Sequence, residues 1–251
     1  MLPIKLKPKY EYDLLRIGSN SDGGYLVESN SYQKTKFLIG LGINDDWSFE
    51  EKFAKPYLGV DDQISLKFLI KQFISYLPAI FLSNGFYRLI KSLFNIFYFL
   101  KIKKNFIRAY VSNFSSNDGS LISLSKIIEN HCNKDDYGFV FLKIDIEGSE
   151  YRILEDIIKY QNIFSGIIIE FHDIDLHMDR ILNFVDMLKM ELVHIHPNNF
   201  GGVDNNNNPI VVEITFASSP AYVSEDVILP HPFDSPNDIK SEDIKLNFQK
   251  V

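Results

Sequence analysis

Five short stretches of this 251-residue chain bring together residue types that can do chemistry, and each closes a run of apolar residues. In Lys143-Ile144-Asp145-Ile146-Glu147-Gly148-Ser149-Glu150 a carboxylate, Asp145, stands at the tip of an apolar run, where it needs a partner. A glycine turn and a helix follow. Glu147 or Ser149 can cap that helix, and Glu150 lies in its first turn, where negative charge is favoured. Glu170 and His172 stand two apart on the next run, so their side chains share a face, and Asp173 follows them. His196-Pro197-Asn198-Asn199 ends a further run. Imidazole is a natural general base near neutral pH. Either histidine reads equally as a hydrogen-bonded structural residue at a strand end. The same oxygens and nitrogens would suit a hard or borderline divalent ion, although their spacing is no recognised metal signature.

The remaining stretches are Leu38-Ile39-Gly40-Leu41-Gly42-Ile43-Asn44-Asp45-Asp46 and Gly59-Val60-Asp61. The first predicts a strand, a tight G-x-G turn and a helix from Trp47 to Phe53. Glycines there let the backbone approach a nucleotide closely. A third glycine at the dinucleotide position is missing, and the acidic residues that replace it would repel a pyrophosphate while tolerating a sulfonium-bearing, amino-acid-like ligand. Asp61, about twenty residues on, is placed either to accept from a ribose diol or to cap a helix.

The elements that must position these groups are legible as a pattern. Phe37–Ile39, Tyr57–Val60, Phe139–Ile144, Ile167–Phe171 and Leu192–Ile195 are dominated by apolar residues without alternation and read as strands buried on both faces. Helical spacing fills the gaps at Leu121–Asn130, Ser149–Tyr160 and Leu176–Met190. Alternating strands and helices imply a doubly wound α/β domain with a mostly parallel sheet, and such sheets bind ligands beyond the carboxyl ends of their strands. Pro209–Phe216 is a further strand, giving a terminal antiparallel hairpin. From about Ser218 to residue 251 four prolines and many charges predict an irregular tail, partly ordered at best.

Composition narrows the function. A net charge of −7 disfavours nucleic acid, and a single cysteine, Cys132, leaves no internal disulfide or cysteine-based zinc site. No signal-peptide pattern opens the sequence, so the expectation is cytoplasmic. The segment 64–107 stands apart: it holds seven Lys and Arg, no Asp or Glu, and many Phe, Ile, Leu and Tyr. It predicts an inserted helical cap within a single domain spanning 1–251. The readings it admits are a lid, a face for homo-oligomerisation, peripheral contact with an anionic membrane, or a grip on an anionic substrate.

Together these motifs resemble the FkbM-type methyltransferases. Leu142 to Glu150 is similar to the K-I-D-x-E-G-x-E stretch of that family. Gly40-Leu41-Gly42 with Gly59-Val60-Asp61, and Ile167 to His172, add to the resemblance. Arg16-Ile17-Gly18, Asp22-Gly23-Gly24-Tyr25 and His196 to Asn199 look like one subgroup of it. The resemblance covers roughly Arg16 to Ser218, apart from the insertion. It implies a class I methyltransferase fold, Rossmann-like, with a seven-stranded sheet whose last strand is antiparallel. It also implies S-adenosylmethionine as donor, S-adenosylhomocysteine as product, and a hydroxyl as acceptor, on a nucleotide-linked sugar or a capsule or surface polysaccharide precursor. By position Gly40, Gly42 and Asn44 would contact the methionine part of the donor and Asp61 the ribose. Asn113, with Val111 and Ser112, would lie by the adenine, and Asp145 at the donor–acceptor junction. His172 would be the base, assisted by Asp145 and His196, with Asp22, Tyr25, Glu170, Asn198 and Asn199 around the acceptor. Two other functions stay open on the residues alone: an NAD(P)-dependent sugar-nucleotide oxidoreductase, or a non-catalytic membrane-docking domain led by residues 64–107.

Overall fold

A computed structural model describes residues 1–44, 46–79, 81 and 84–250. Asp45, grouped above with the acidic residues after the glycine turn, lies outside the described residues. Seven strands form the central sheet: β1 (Phe37–Leu41), β2 (Tyr57–Val60), β3 (Phe106–Ile107), β4 (Val140–Ile144), β5 (Phe164–Phe171), β6 (Glu191–Pro197) and β7 (Val212–Ala217). Their spatial order is β6-β7-β5-β4-β1-β2-β3. All pairings are parallel except those of β7, which runs antiparallel to both β5 and β6. This is the doubly wound, seven-stranded sheet with an antiparallel last strand that the resemblance implied.

The helices are α1 (Ser29–Lys34), α2 (Ser48–Phe53), α3 (Leu66–Tyr76), α4 (Gly85–Ile102), α5 (Leu124–His131), α6 (Leu154–Tyr160) and α7 (Ile174–Met187). The continuous apolar runs are explained by the two faces they fill. Ile39, Leu142, Ile144, Ile167 and Ile169 pack with Ile127, Ile157, Ile181 and Phe184 of α5, α6 and α7. Their neighbours Leu38, Phe141 and Ile168 point the other way, against Phe49 and Phe53 of α2 and against Ile17, Tyr25 and Val27. The last three come from an antiparallel hairpin, Leu14–Ile17 with Tyr25–Glu28, laid across the sheet.

Several boundaries differ from expectation for identifiable reasons. The predicted helix from Leu121 starts at Leu124, because the Ser123 hydroxyl accepts from the Lys126 N–H and caps it there; Leu121–Ser123 pairs instead with Tyr110–Ser112. The segment from Glu150 to Arg152 is a single 3-10 turn, and α6 proper begins at Leu154. Residues 111–113 leave the sheet, since β3 ends at Ile107. The segment after Ser218 has little regular structure, yet it is anchored. The Asp234 carboxylate pairs with His194 at 2.9 Å, Asn237 is buried, and Asp243 pairs with His196 at 3.1 Å.

Residues 64–107 contain α3 and α4, which pack on each other and on Trp47 through Ile64, Leu69, Phe99 and Ile102. Among the described residues no helix is long and apolar enough to cross a membrane.

Candidate active site

The chain order reverses direction across the sheet between β1 and β4, and there a cleft of about 1020 Å³ opens beyond their carboxyl ends. Gly42, Asn44, Asp61, Asp145, Glu170, His172, Asp22 and Asn198 all line it. The sequence expectation therefore converges on one place for eight residues that lie far apart in the chain.

The floor is built by β1 and β4. Gly42 has φ +73°, and a Cβ there would sit 1.6 Å from the Asp145 carbonyl oxygen, so only glycine lets the two loops meet. The Lys143 ammonium, 5% exposed, donates to the Gly42 carbonyl at 2.6 Å and to Asp145 Oδ2 at 3.3 Å. Burial opposes its charge, but Asp145, Glu50 and Glu170 outweigh that and raise its pKa above the ordinary value. The Glu50 carboxyl, buried on α2, is pushed up to about 7 by burial, against the pull of Lys143. Neither Lys143 nor Glu50 was given a role from sequence; Lys143 stood only as the first residue of the Lys143–Glu150 stretch, within an otherwise apolar strand.

The wall by β5 centres on His172. Glu150 is fully buried and accepts the Gly148 N–H at 3.0 Å and the His172 N–H at 2.7 Å; its Oε1 also lies 3.3 Å from His172 Nδ1. The Tyr151 hydroxyl donates to the His172 carbonyl at 2.6 Å. These contacts turn Nε2 toward the cleft carboxylates, at 3.5 Å from Glu147 and 3.7 Å from Glu170. Burial lowers the basicity of the ring, but the Glu150 bond and the charges of Glu150, Glu170 and Asp145 outweigh it and bring the pKa to about 9. Glu170 moves well above the usual carboxylate range, first by burial and then by Asp145 and Glu213. The Tyr25 hydroxyl donates to both Asp145 and Glu170 at 3.3 Å, and Asn198 Nδ2 donates to Glu170 at 2.7 Å. One ligand atom each from Asp145, Glu147 and His172 lies within 4.8 Å of the others. That spacing can hold a divalent cation or leave Nε2 free for a proton, not both.

Other expected site residues stand elsewhere. Gly40 lies in the middle of β1 and makes room for Glu50, whose Oε1 would be 2.9 Å from a Cβ; it does not reach the cleft. Tyr25 is buried behind the cleft rather than on its surface. Asn113 is exposed outside it, whereas Val111, expected beside it, lines the cleft with Ala109 and Tyr110; the Tyr110 and Ser149 hydroxyls are bonded to each other. Asn199 binds the C-terminal segment, accepting from the Asp238 N–H at 2.7 Å. His196 is likewise out of the cleft. It is buried between Glu213 at 3.5 Å and Asp243 at 3.1 Å, because its neighbour on β7 is a carboxylate.

Asp61 is spent on structure. Its Oδ2 accepts from the Ile43 and Asn44 N–H groups, and its Oδ1 from those of Gln63 and Ile64, so its acceptor sites are occupied. Asp62 beside it is exposed, lines the cleft, and its carboxylate takes no hydrogen bond among the described residues. The C-terminal segment supplies a wall that sequence reading missed. Asn237 Nδ2 bridges Glu213 at 2.7 Å and Asp22 at 3.4 Å, and Asp238, Ile239 and Lys240 face the cleft beside it.

That wall carries a pH prediction. Burial disfavours the charged His196 ring, but Asp243 and Glu213 overcome it and raise its pKa from 6.5 to about 10. A raised pKa means the contribution is complete below 6.5 and is lost as pH climbs through about 10. Limited proteolysis should therefore cut the segment after Ser218 faster above pH 10 than at neutrality, with the central sheet intact. An unchanged cutting rate would show that the His196 contacts do not hold it.

Eight Asp and Glu side chains line the cleft against three lysines. Such a lining favours cationic or neutral ligands and repels phosphates.

Residues 109–192 match the family model described as the methyltransferase FkbM domain. No curated protein matches the chain in sequence. Among solved structures, the precorrin-6y C5,15-methyltransferase from Geobacter metallireducens GS-15 is similar at 10% identity, covering 76% of this chain and 87% of that one, with a TM-score of 0.36. The methyltransferase domain of a bacterial CtHen1 is similar at 11% identity, covering 74% of this chain and 91% of its own, with a TM-score of 0.33.

Proposed function

We propose that this chain, whose residues 109–192 match the FkbM methyltransferase domain model, transfers a methyl group from S-adenosylmethionine to a hydroxyl of a sugar. The observation that carries the proposal is the Glu150–His172 pair, which presents an oriented imidazole to an acidic cleft at the switch point of the sheet. The cleft suits the donor in two ways. Its acidic lining matches a ligand bearing a sulfonium and an ammonium, and Gly42 opens the backbone to close approach. The same lining counts against a dinucleotide, whose pyrophosphate would face carboxylates.

When bound, the donor supplies a methyl carbon activated by its sulfonium. His172 Nε2 takes the proton of the acceptor hydroxyl as the oxygen–carbon bond forms and the carbon–sulfur bond breaks. Lys143 holds the Gly42 loop and Asp145 in one geometry, so alignment comes from buried contacts. Asp62, whose carboxylate takes no hydrogen bond among the described residues, is the carboxylate for the ribose diol, while Asp61 holds the loop. The sugar would sit in the cleft, and any phosphate attached to it would lie outside, near Lys91 and Lys101 in the adjoining hollow under α4.

Calorimetry tests the donor class. S-adenosylmethionine and S-adenosylhomocysteine should bind and NAD should not. Asp62→Ala should weaken binding by roughly tenfold or more, the loss of a charge-assisted hydrogen bond. NAD binding instead, or no binding by a folded sample, would overturn the proposal.

A further inference from the structure

The pair α3–α4 is apolar on two sides. Its inner side packs on Trp47 and Ile43. On the outer side of α4, Phe86, Tyr87, Phe94 and Phe97 are each more than 60% exposed, and a stripe at Leu66, Ile70 and Ile74 of α3, continued by Leu77 just after it, is exposed as well. A helix apolar all round is normally covered on all sides. What covers it here is indicated by charge. Residues 64–107 hold seven cations and no acid in a chain of net charge −7, which leaves the rest of the molecule at net −14. Lys67, Lys71, Arg88, Lys101, Lys103 and Lys104 are all exposed.

We propose that the outer face of α3–α4 is a docking surface for an anionic phospholipid bilayer, lying in the interface without crossing it. Aromatic side chains entering the headgroup boundary and lysines on anionic lipids are the two contributions an interfacial helix needs. The acidic remainder of the molecule is repelled by the same surface, so the charge asymmetry fixes which side faces the lipid. A second copy of the chain fits less well. A two-fold contact sets this patch against itself, bringing cations together without one acid between them. The docked face adjoins the cleft, since Lys91 of α4 lines both the cleft and the hollow beneath the aromatics and pairs with Asp46 at 4.0 Å. A membrane-borne acceptor would thus be delivered at the mouth of the site.

Flotation of the full chain with vesicles tests this, using phosphatidylcholine alone and phosphatidylcholine with phosphatidylglycerol. Binding is expected to the anionic vesicles only and to fall with added salt. Lys67→Ser, Lys71→Ser and Lys104→Ser together should weaken it on the order of 100-fold. Phe86→Ser with Phe94→Ser should weaken it without lowering the melting temperature, because both rings are exposed. Absence of binding to anionic vesicles would overturn the proposal, as would equal binding by both sets of variants. A dimer that Phe86→Ser and Phe94→Ser split, with no vesicle binding by the parent chain, would assign the face to a second copy and overturn it too.

Discussion

His172→Gln is expected to lower turnover by about 10²- to 10⁴-fold, the usual contribution of a positioned base, while leaving donor affinity within a fewfold of the parent. Glutamine keeps a polar group against Glu150 and preserves the main-chain bond from the His172 N–H, so the wall of the cleft stays in place. What is lost is an atom that can accept a proton. The pH dependence separates this role from a structural one. Burial lowers the basicity of the ring, but Glu150, Glu170 and Asp145 favour the imidazolium more strongly and hold its proton up to about 9. A base must be neutral to act, so kcat/KM should rise with pH from neutrality through about 9 in the parent chain and lose that limb in His172→Gln. A cation entering the cleft, whether donor or divalent ion, disfavours the imidazolium and should move the limb in kcat to lower pH. Turnover unchanged in His172→Gln would transfer the proton to Asp145 or Glu170 and end the assignment.

The strands and the placement of Asp145, Glu170 and His172 could be read from sequence because strands buried on both faces are written as mostly apolar runs without alternation, and polar residues at or near their ends stand out. Leu38 and Ile39 face opposite layers of the molecule, which is why no alternation appears. Three features in and around the site were hidden, each for its own reason. Glu150 sits in the first turn after a glycine, where capping explains a carboxylate, so nothing local signals that it reaches His172, 22 residues away. His196 shares the histidine-at-a-strand-end pattern of His172, and only its β7 neighbour Glu213 and the distant Asp243 turn it away from the cleft. Asn237 and Asp243 look like solvated residues of a proline-rich tail. Their partners Asp22 and His196 lie 215 and 47 residues back, and no local periodicity encodes such pairings. Asp61 was legible as a residue at the right strand end but not as one already saturated by four backbone N–H groups.

Gly42→Ala should cost about 3 kcal/mol or more and abolish donor binding, the largest stability effect expected of any single methyl group near the site. Two penalties add. The residue has φ +73°, which alone costs a side chain roughly 1–3 kcal/mol. The new Cβ would also fall 1.6 Å from the Asp145 carbonyl oxygen and 2.6 Å from its carbon. Both obstructing atoms are backbone, so relief requires β1 and β4 to separate where Asp145 N–H donates to the Leu41 carbonyl at 2.9 Å and Lys143 reaches Gly42 at 2.6 Å. Those are the contacts that set the Asp145 carboxylate beside the glycine loop, so stability and the site fail together. For a chain of this size the loss corresponds to a fall in Tm of about 10 °C. Gly138→Ala isolates the two penalties: Gly138 has a similar φ of +77°, but no atom lies within 4 Å of its Cβ position. It should show the backbone cost alone and keep full donor affinity. Equal melting temperatures for the two variants would mean that the close approach of β1 and β4 is not what Gly42 protects.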